Sequence, residues 1–74
     1  MNMDPYQTLA NAIVEQAVRD YRAAQKDLKE NPHNRMAQAE KDSLLRFFRS
    51  QWYTCLTQVD AEYLIKRLDK EVEA

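Results

Sequence analysis

The sequence predicts a small all-α protein, with two long antiparallel helices forming a hairpin and a shorter third helix packed across them. Three observations carry that prediction. The 74 residues include no glycine, so the positive backbone angles that tight hairpins, bulges and phosphate-cradling loops require have no ready source. Ala, Leu, Glu, Gln, Lys and Arg dominate, and these are strong helix formers. Apolar residues also recur at helical spacing in three segments, separated by Pro, Asn and Asp punctuation. At least about 70% helix and no strand are expected, because these separate signals agree.

The first helix is expected from Pro5 to about Glu30. Asp4 suits the N-cap, and proline suits the first helical position because its missing N–H would be unpaired there. Tyr6, Leu9, Ala10, Ile13, Val14, Ala17, Val18, Tyr21, Ala24 and Leu28 fall on one half of the cylinder. Glu15, Arg19, Arg22, Lys26 and Lys29 fall on the other. A stripe this wide suits contact with two partners, either both other helices or a second copy of the chain.

Asn31-Pro32-His33-Asn34 reads as a turn, since proline cannot continue the helix and biases Asn31 away from the α region. Asn34 then caps a second helix beginning at Arg35. Continuity to Leu56 is the favoured reading, over a break that would let Ser50 cap a separate short helix. Wound as one helix, Leu44, Phe48, Trp52 and Cys55 share a single arc. Trp52 is therefore expected in the core, and Cys55 as a small buried hydrophobe.

Asp60 is expected to cap the third helix, Ala61 to about Val72, with Val59 and Leu64 as a hydrophobic staple. Ala61, Leu64, Ile65, Leu68 and Val72 form its buried stripe. Glu62–Lys66 and Arg67–Glu71 have the spacing of stabilising intrahelical pairs.

A chain of 74 residues holds one domain that buries only about 60% of its unfolded surface. There is little room for a substrate cavity beside the core, and dimerisation would add buried area. The net charge of −1 and a pI near 5.7 argue against a general attraction to nucleic acid or anionic membrane. No apolar run spans a bilayer, no leader pattern opens the chain, and the single cysteine fits a reducing cytosol. Cytoplasmic location is therefore expected.

No constellation points to catalysis. His33 stands alone in the turn, Cys55 lies far along the chain, and neither meets a metal-ligand spacing. The carboxylates sit at ordinary ion-pair spacing on exposed faces, not paired in an apolar pocket. A non-enzymatic protein without cofactor or metal is expected.

The densest surface candidate is Arg46-Phe47-Phe48-Arg49-Ser50-Gln51-Trp52-Tyr53. Arg46, Arg49 and Tyr53 form a face at i, i+3 and i+7, and Phe47 also points away from the apolar arc. Aromatics and Arg are enriched at interface hot spots, so Arg46, Phe47, Arg49 and Tyr53 are the candidate protein-binding residues. Sequence-specific DNA binding is the weaker reading. The turn before the third helix lacks Gly, and that helix is acidic where a recognition helix should offer donors to bases.

Several strings in combination resemble a set of short proteins carried by phages and integrative elements of Gram-positive bacteria. They are Ala12 to Arg22 (AIVEQAVRDYR), Asn31-Pro32 with Asn34, Arg46 to Tyr53 (RFFRSQWY), Leu56-Thr57, and Asp60 with Tyr63-Leu64-Ile65. The likeness covers nearly the whole chain and implies a context, without a mechanism. Small phage proteins without enzymatic parts often work by occupying a host protein's surface, and anti-CRISPR inhibitors of defence nucleases are one such class. By that analogy the chain is expected to be an accessory protein that docks on a host or phage protein. A nucleic-acid-binding regulator and a self-assembling structural subunit are the alternatives.

Overall fold

The computed structural model describes residues 5–73. It is 85% helical, with no strand among the described residues. The elements are α1 (Pro5–Glu30), α2 (Arg35–Phe48), α3 (Gln51–Leu56) and α4 (Ala61–Glu73). The all-α helical hairpin expected from the sequence is present, with one more helix than the pattern suggested.

α1 starts at Pro5, as expected; the Asp4 cap lies outside the described residues. At its far end the Asn31 N–H donates to the Asp27 carbonyl at 2.9 Å. The Asn31 side-chain oxygen accepts from the His33 N–H at 3.1 Å, an Asx turn that guides the chain past Pro32. The Asn34 Oδ1 then accepts from the Ala37 N–H at 3.0 Å and caps α2. α2 returns along α1, and the small buried residues Ala17, Ala24 and Ala37 let the two helices approach closely.

The expected continuous second helix is corrected. α2 ends at Phe48, and Ser50 is extended, with φ −82° and ψ 159°. Its hydroxyl donates to the Phe47 carbonyl at 2.6 Å and accepts from the Tyr53 N–H at 3.2 Å. One side chain thus closes α2 and caps α3. The change of axis also shifts the helical phase. Tyr53 turns inward to 1% exposure, whereas Trp52 turns outward to 59% and Cys55 becomes exposed. The expectations of a core Trp52, a buried Cys55 and a surface Tyr53 all rested on unbroken winding, and all three are reversed. The tyrosine ring packs edge-on to Phe48, centroids 5.7 Å apart, and to Phe47 at 5.9 Å. Such aromatic packing adds to simple area burial.

α4 begins where expected, with the Asp60 Oδ1 accepting from the Tyr63 N–H at 2.9 Å. It runs beside the C-terminal half of α1 and completes a core of Ala17, Tyr21, Phe48, Tyr53, Ile65 and Leu68. Glu62 and Glu71, anticipated in intrahelical pairs, reach to other helices, although the charge of Arg67 still favours the Glu71 carboxylate. Arg22 holds Glu71 through two hydrogen bonds of 2.8 and 3.0 Å, which keep the Glu71 carboxyl below its ordinary range. Arg49 holds Glu62 at 3.2 and 3.3 Å. A more consequential contact is made by Asp69, whose Oδ1 accepts from the Tyr21 hydroxyl at 2.6 Å and from the Gln25 amide at 2.7 Å. Tyr21 and Gln25 are both buried, so this carboxylate supplies the acceptor their donors need.

Two phenols in this core predict an alkaline limit to stability. Burial, and then the hydrogen bond to Asp69, raise Tyr21 well above the usual phenol range. Burial, and then the charge of Asp60, raise Tyr53. A raised folded-state value favours the neutral phenol. Its contribution is complete below the unfolded value of 10.0 and is lost as pH climbs toward the folded one, by up to about 1.4 kcal/mol per pH unit for each group. Melts recorded up to about pH 11 should show the fall, and Tyr21→Phe should make it shallower. An equal fall in Tyr21→Phe would assign the effect elsewhere.

Candidate protein interface

The break at Ser50 divides the face proposed from the sequence. Arg46, Phe47, Arg49 and Tyr53 do not come together as one surface. Tyr53 is in the core, where its hydroxyl is buried with no hydrogen-bond partner. Arg46 and Arg49 are exposed and line a shallow depression with Asp42 and Leu45. Arg49 is already engaged by Glu62 across a 3.2 Å ion pair, so an incoming partner would have to displace that carboxylate.

Phe47 goes the other way. It is half-buried against the core and lines a groove bounded by α1, α2 and α3. The groove has a volume of about 420 Å³, and its lining includes Ala12, Ile13, Gln16, Leu44, Phe47 and Trp52. Phe47 and Trp52 meet edge to face, centroids 5.7 Å apart and planes at 86°. That contact holds the indole at the lip of the groove while leaving most of it in solvent. Leu9 lies one turn before Ile13 on the same face of α1 and is 59% exposed.

The floor of the groove is apolar because the helix periodicity that builds the core also supplies its shoulder. Ala12, Ile13 and Gln16 flank the buried stripe of α1, with Ala12 and Gln16 exposed and Ile13 half-buried. Asp20 is the one ionisable residue lining the groove, and it sits where Gln16 can reach it. The Gln16 amide donates to the Asp20 Oδ1 at 2.9 Å and its oxygen accepts from Arg19 at 3.3 Å. Gln16 thus links the Asp20 carboxylate and the Arg19 guanidinium along the exposed rim of α1.

Trp52 is the functional candidate that sequence reasoning missed, since the continuous helix had assigned it to the core. The available signal was Ser50 itself, a good capping residue three positions before an aromatic that could turn inward.

The arrangement can hold apolar side chains of another molecule. Among the described residues no three His, Cys, Asp or Glu side chains gather as a metal site, and no helix is long and apolar enough to cross a membrane. Compared with known proteins, the chain matches no family model, no curated protein and no solved structure.

Proposed function

We propose that the chain is a non-enzymatic protein-binding module that works by docking an apolar groove on another protein. One observation carries this reading: Trp52 is 59% exposed at the lip of a groove floored by Ile13, Leu44 and Phe47. Exposing an indole beside apolar side chains is unfavourable in water, and burying it in an interface recovers that free energy. Aromatic residues seated in such pockets are the anchors that dominate binding energy. The resemblance to phage and mobile-element proteins supplies the context: an accessory protein, acting in the bacterial cytoplasm, that covers a host or phage protein and alters its activity. Inhibition of a defence nuclease, in the manner of anti-CRISPR proteins, is the form that context suggests.

The test is affinity capture from bacterial lysate with and without nuclease treatment, using the parent and Trp52→Glu. Trp52 is mostly solvated, so the variant should melt within a few degrees of the parent, surface changes shifting stability by about 0.5 kcal/mol. Loss of an interface anchor costs about 2 kcal/mol or more in affinity, so a protein partner retained by the parent should vanish with Trp52→Glu. A partner retained by both defeats the groove as the docking surface. Recovery of nucleic acid alone, with affinity falling steeply in salt, would instead favour a nucleic-acid regulator using Arg46 and Arg49.

A further inference from the structure

We infer that the groove beside Trp52 takes a basic amphipathic helix of a partner protein, with the partner's apolar side chains at the Trp52 end and its Lys or Arg side chains toward the turn between α1 and α2. The inference rests on reading the groove as a protein-docking surface, and it names the chemistry of the occupant.

Charge complementarity carries the argument. The apolar groove does not stop at Asp20. A second depression of about 440 Å³ continues from that residue along the cleft between α1 and α2. Ala24 and Ala37 lie buried beneath it. Asp20, Asp27, Glu40 and Met36 line it, the methionine 85% exposed. The whole channel is therefore lined by three carboxylates and by no lysine or arginine, in a chain that holds 11 basic and 12 acidic residues.

The cations of the hairpin lie outside that lining. Arg22, Lys26 and Lys29 border the depression beside α4, and Arg46 and Arg49 border another with Asp42. Lys41, next in sequence to Glu40, stands over the Tyr21 ring, 6.0 Å from its centre. Arg19, at the rim, donates to Gln16. The ion pairs among the described residues use Glu71 and Glu62, which leaves Asp20, Asp27 and Glu40 without a cation of their own. A channel that is apolar at one end and anionic at the other matches a partner surface with an apolar end and a positive end. The same charge repels a phosphate backbone.

Spacing fixes the form of the occupant. From Ala12 to Asp27 the channel follows α1 for about 22 Å, the length of about 15 helical residues. Asp20 and Asp27 are seven positions apart and share one face of α1, about 10 Å from each other along its axis. A helix laid in the cleft bonds its own backbone and presents residues at i, i+3, i+4 and i+7 to the surface it meets. Two basic residues seven positions apart then face the two aspartates. An extended segment has no sheet edge to join among the described residues. Met36, at the acidic end, offers an adaptable apolar contact for the methylene stems of those basic side chains.

Trp52 is the one tryptophan of the chain, so its emission reports on the channel. The probe is a tryptophan-free helical peptide of about 18 residues, stapled on its outer face, with two Leu one turn apart at one end and two Lys seven positions apart toward the other. Titrated into the parent, it should shift the Trp52 emission to the blue and bind less tightly as salt rises. The same peptide with Glu in place of both Lys should bind at least about tenfold more weakly. Asp27→Lys combined with Glu40→Lys, both at exposed positions, should keep the parental circular dichroism and reverse the preference between the two peptides. Equal affinity for the two peptides, or no shift with the Lys peptide at its highest soluble concentration, overturns the inference. Emission that shifts with protein concentration alone, together with a doubled mass in sedimentation equilibrium, gives the channel to a second copy and overturns it as well. The two readings fail separately. A captured lysate protein that is lost with Trp52→Glu but kept by the double lysine variant preserves the docking groove and removes its basic occupant.

Discussion

Phe48→Ala should unfold much of the protein at room temperature, and it should be far more damaging than any change at the neighbouring Trp52. The Phe48 ring is fully buried at the point where α1, α2 and α3 meet. It contacts Tyr21 edge-on, centroids 5.9 Å apart, Tyr53 at 5.7 Å and Phe47 at 5.6 Å. Truncation removes the hub of this cluster and leaves a cavity that three large rings cannot close, at a cost of about 3–5 kcal/mol. A domain of this size has about 4–11 kcal/mol of stability in total. Urea titration of Phe48→Ala should give a midpoint near zero denaturant, or a chain already unfolded, while Trp52→Ala keeps a near-parental midpoint. Equal losses from the two would return Trp52 to the core and contradict the break at Ser50.

Asp69→Ala should be the most destabilising removal of a charge. Its carboxylate is the acceptor for two buried donors, the Tyr21 hydroxyl and the Gln25 amide. Deleting it strands both, and each stranded group costs about 1–3 kcal/mol. The mechanism has a signature. Adding Tyr21→Phe to Asp69→Ala should restore part of the loss, because a donor that no longer exists needs no partner. Glu62→Ala, which loses only an exposed pairing with Arg49, should shift the midpoint little. If Asp69→Ala melts with the parent, or Tyr21→Phe deepens its loss, the buried network is not what the carboxylate contributes.

These two residues mark where the sequence was legible and where it was not. The helices themselves could be read, because Pro5, Asn34 and Asp60 are local signals and the periodicity of α1 and α4 is strong. Tyr21, Ile65 and Leu68 were placed inside by the same periodicity, and Phe48 by the apolar arc of the second helix. Ser50 was the ambiguous position. A serine within a helical pattern reads equally well as a solvated residue or as a cap, and the choice between them is made by packing. Burying Tyr53 between Phe47 and Phe48 requires the axis to turn, and a single residue step, about 100° of helical phase, then separates the core residue from the exposed one. The candidate site inherited that error. Phe47 belongs to an apolar surface, but its proposed companions Arg46 and Arg49 lie elsewhere, and Tyr53 lies beneath. Asp69 was hidden for a related reason. Counted as a charge, it made α4 look like a solvated acidic helix, and only its position opposite Tyr21 and Gln25 reveals it as an acceptor in the core.

The corners of the chain have a consequence for the unfolded state. Among the described residues no backbone angle φ is positive, and each corner is held by a side-chain oxygen, that of Asn34, Ser50 or Asp60. Proteins that turn on glycine must freeze, at each turn, the residue with the widest conformational range. Here every corner residue carries a β-carbon, so the disordered chain samples fewer shapes and surrenders less entropy when it folds. For a domain with so thin a core, part of its stability therefore resides in a restriction on the unfolded ensemble that no contact in the folded structure displays.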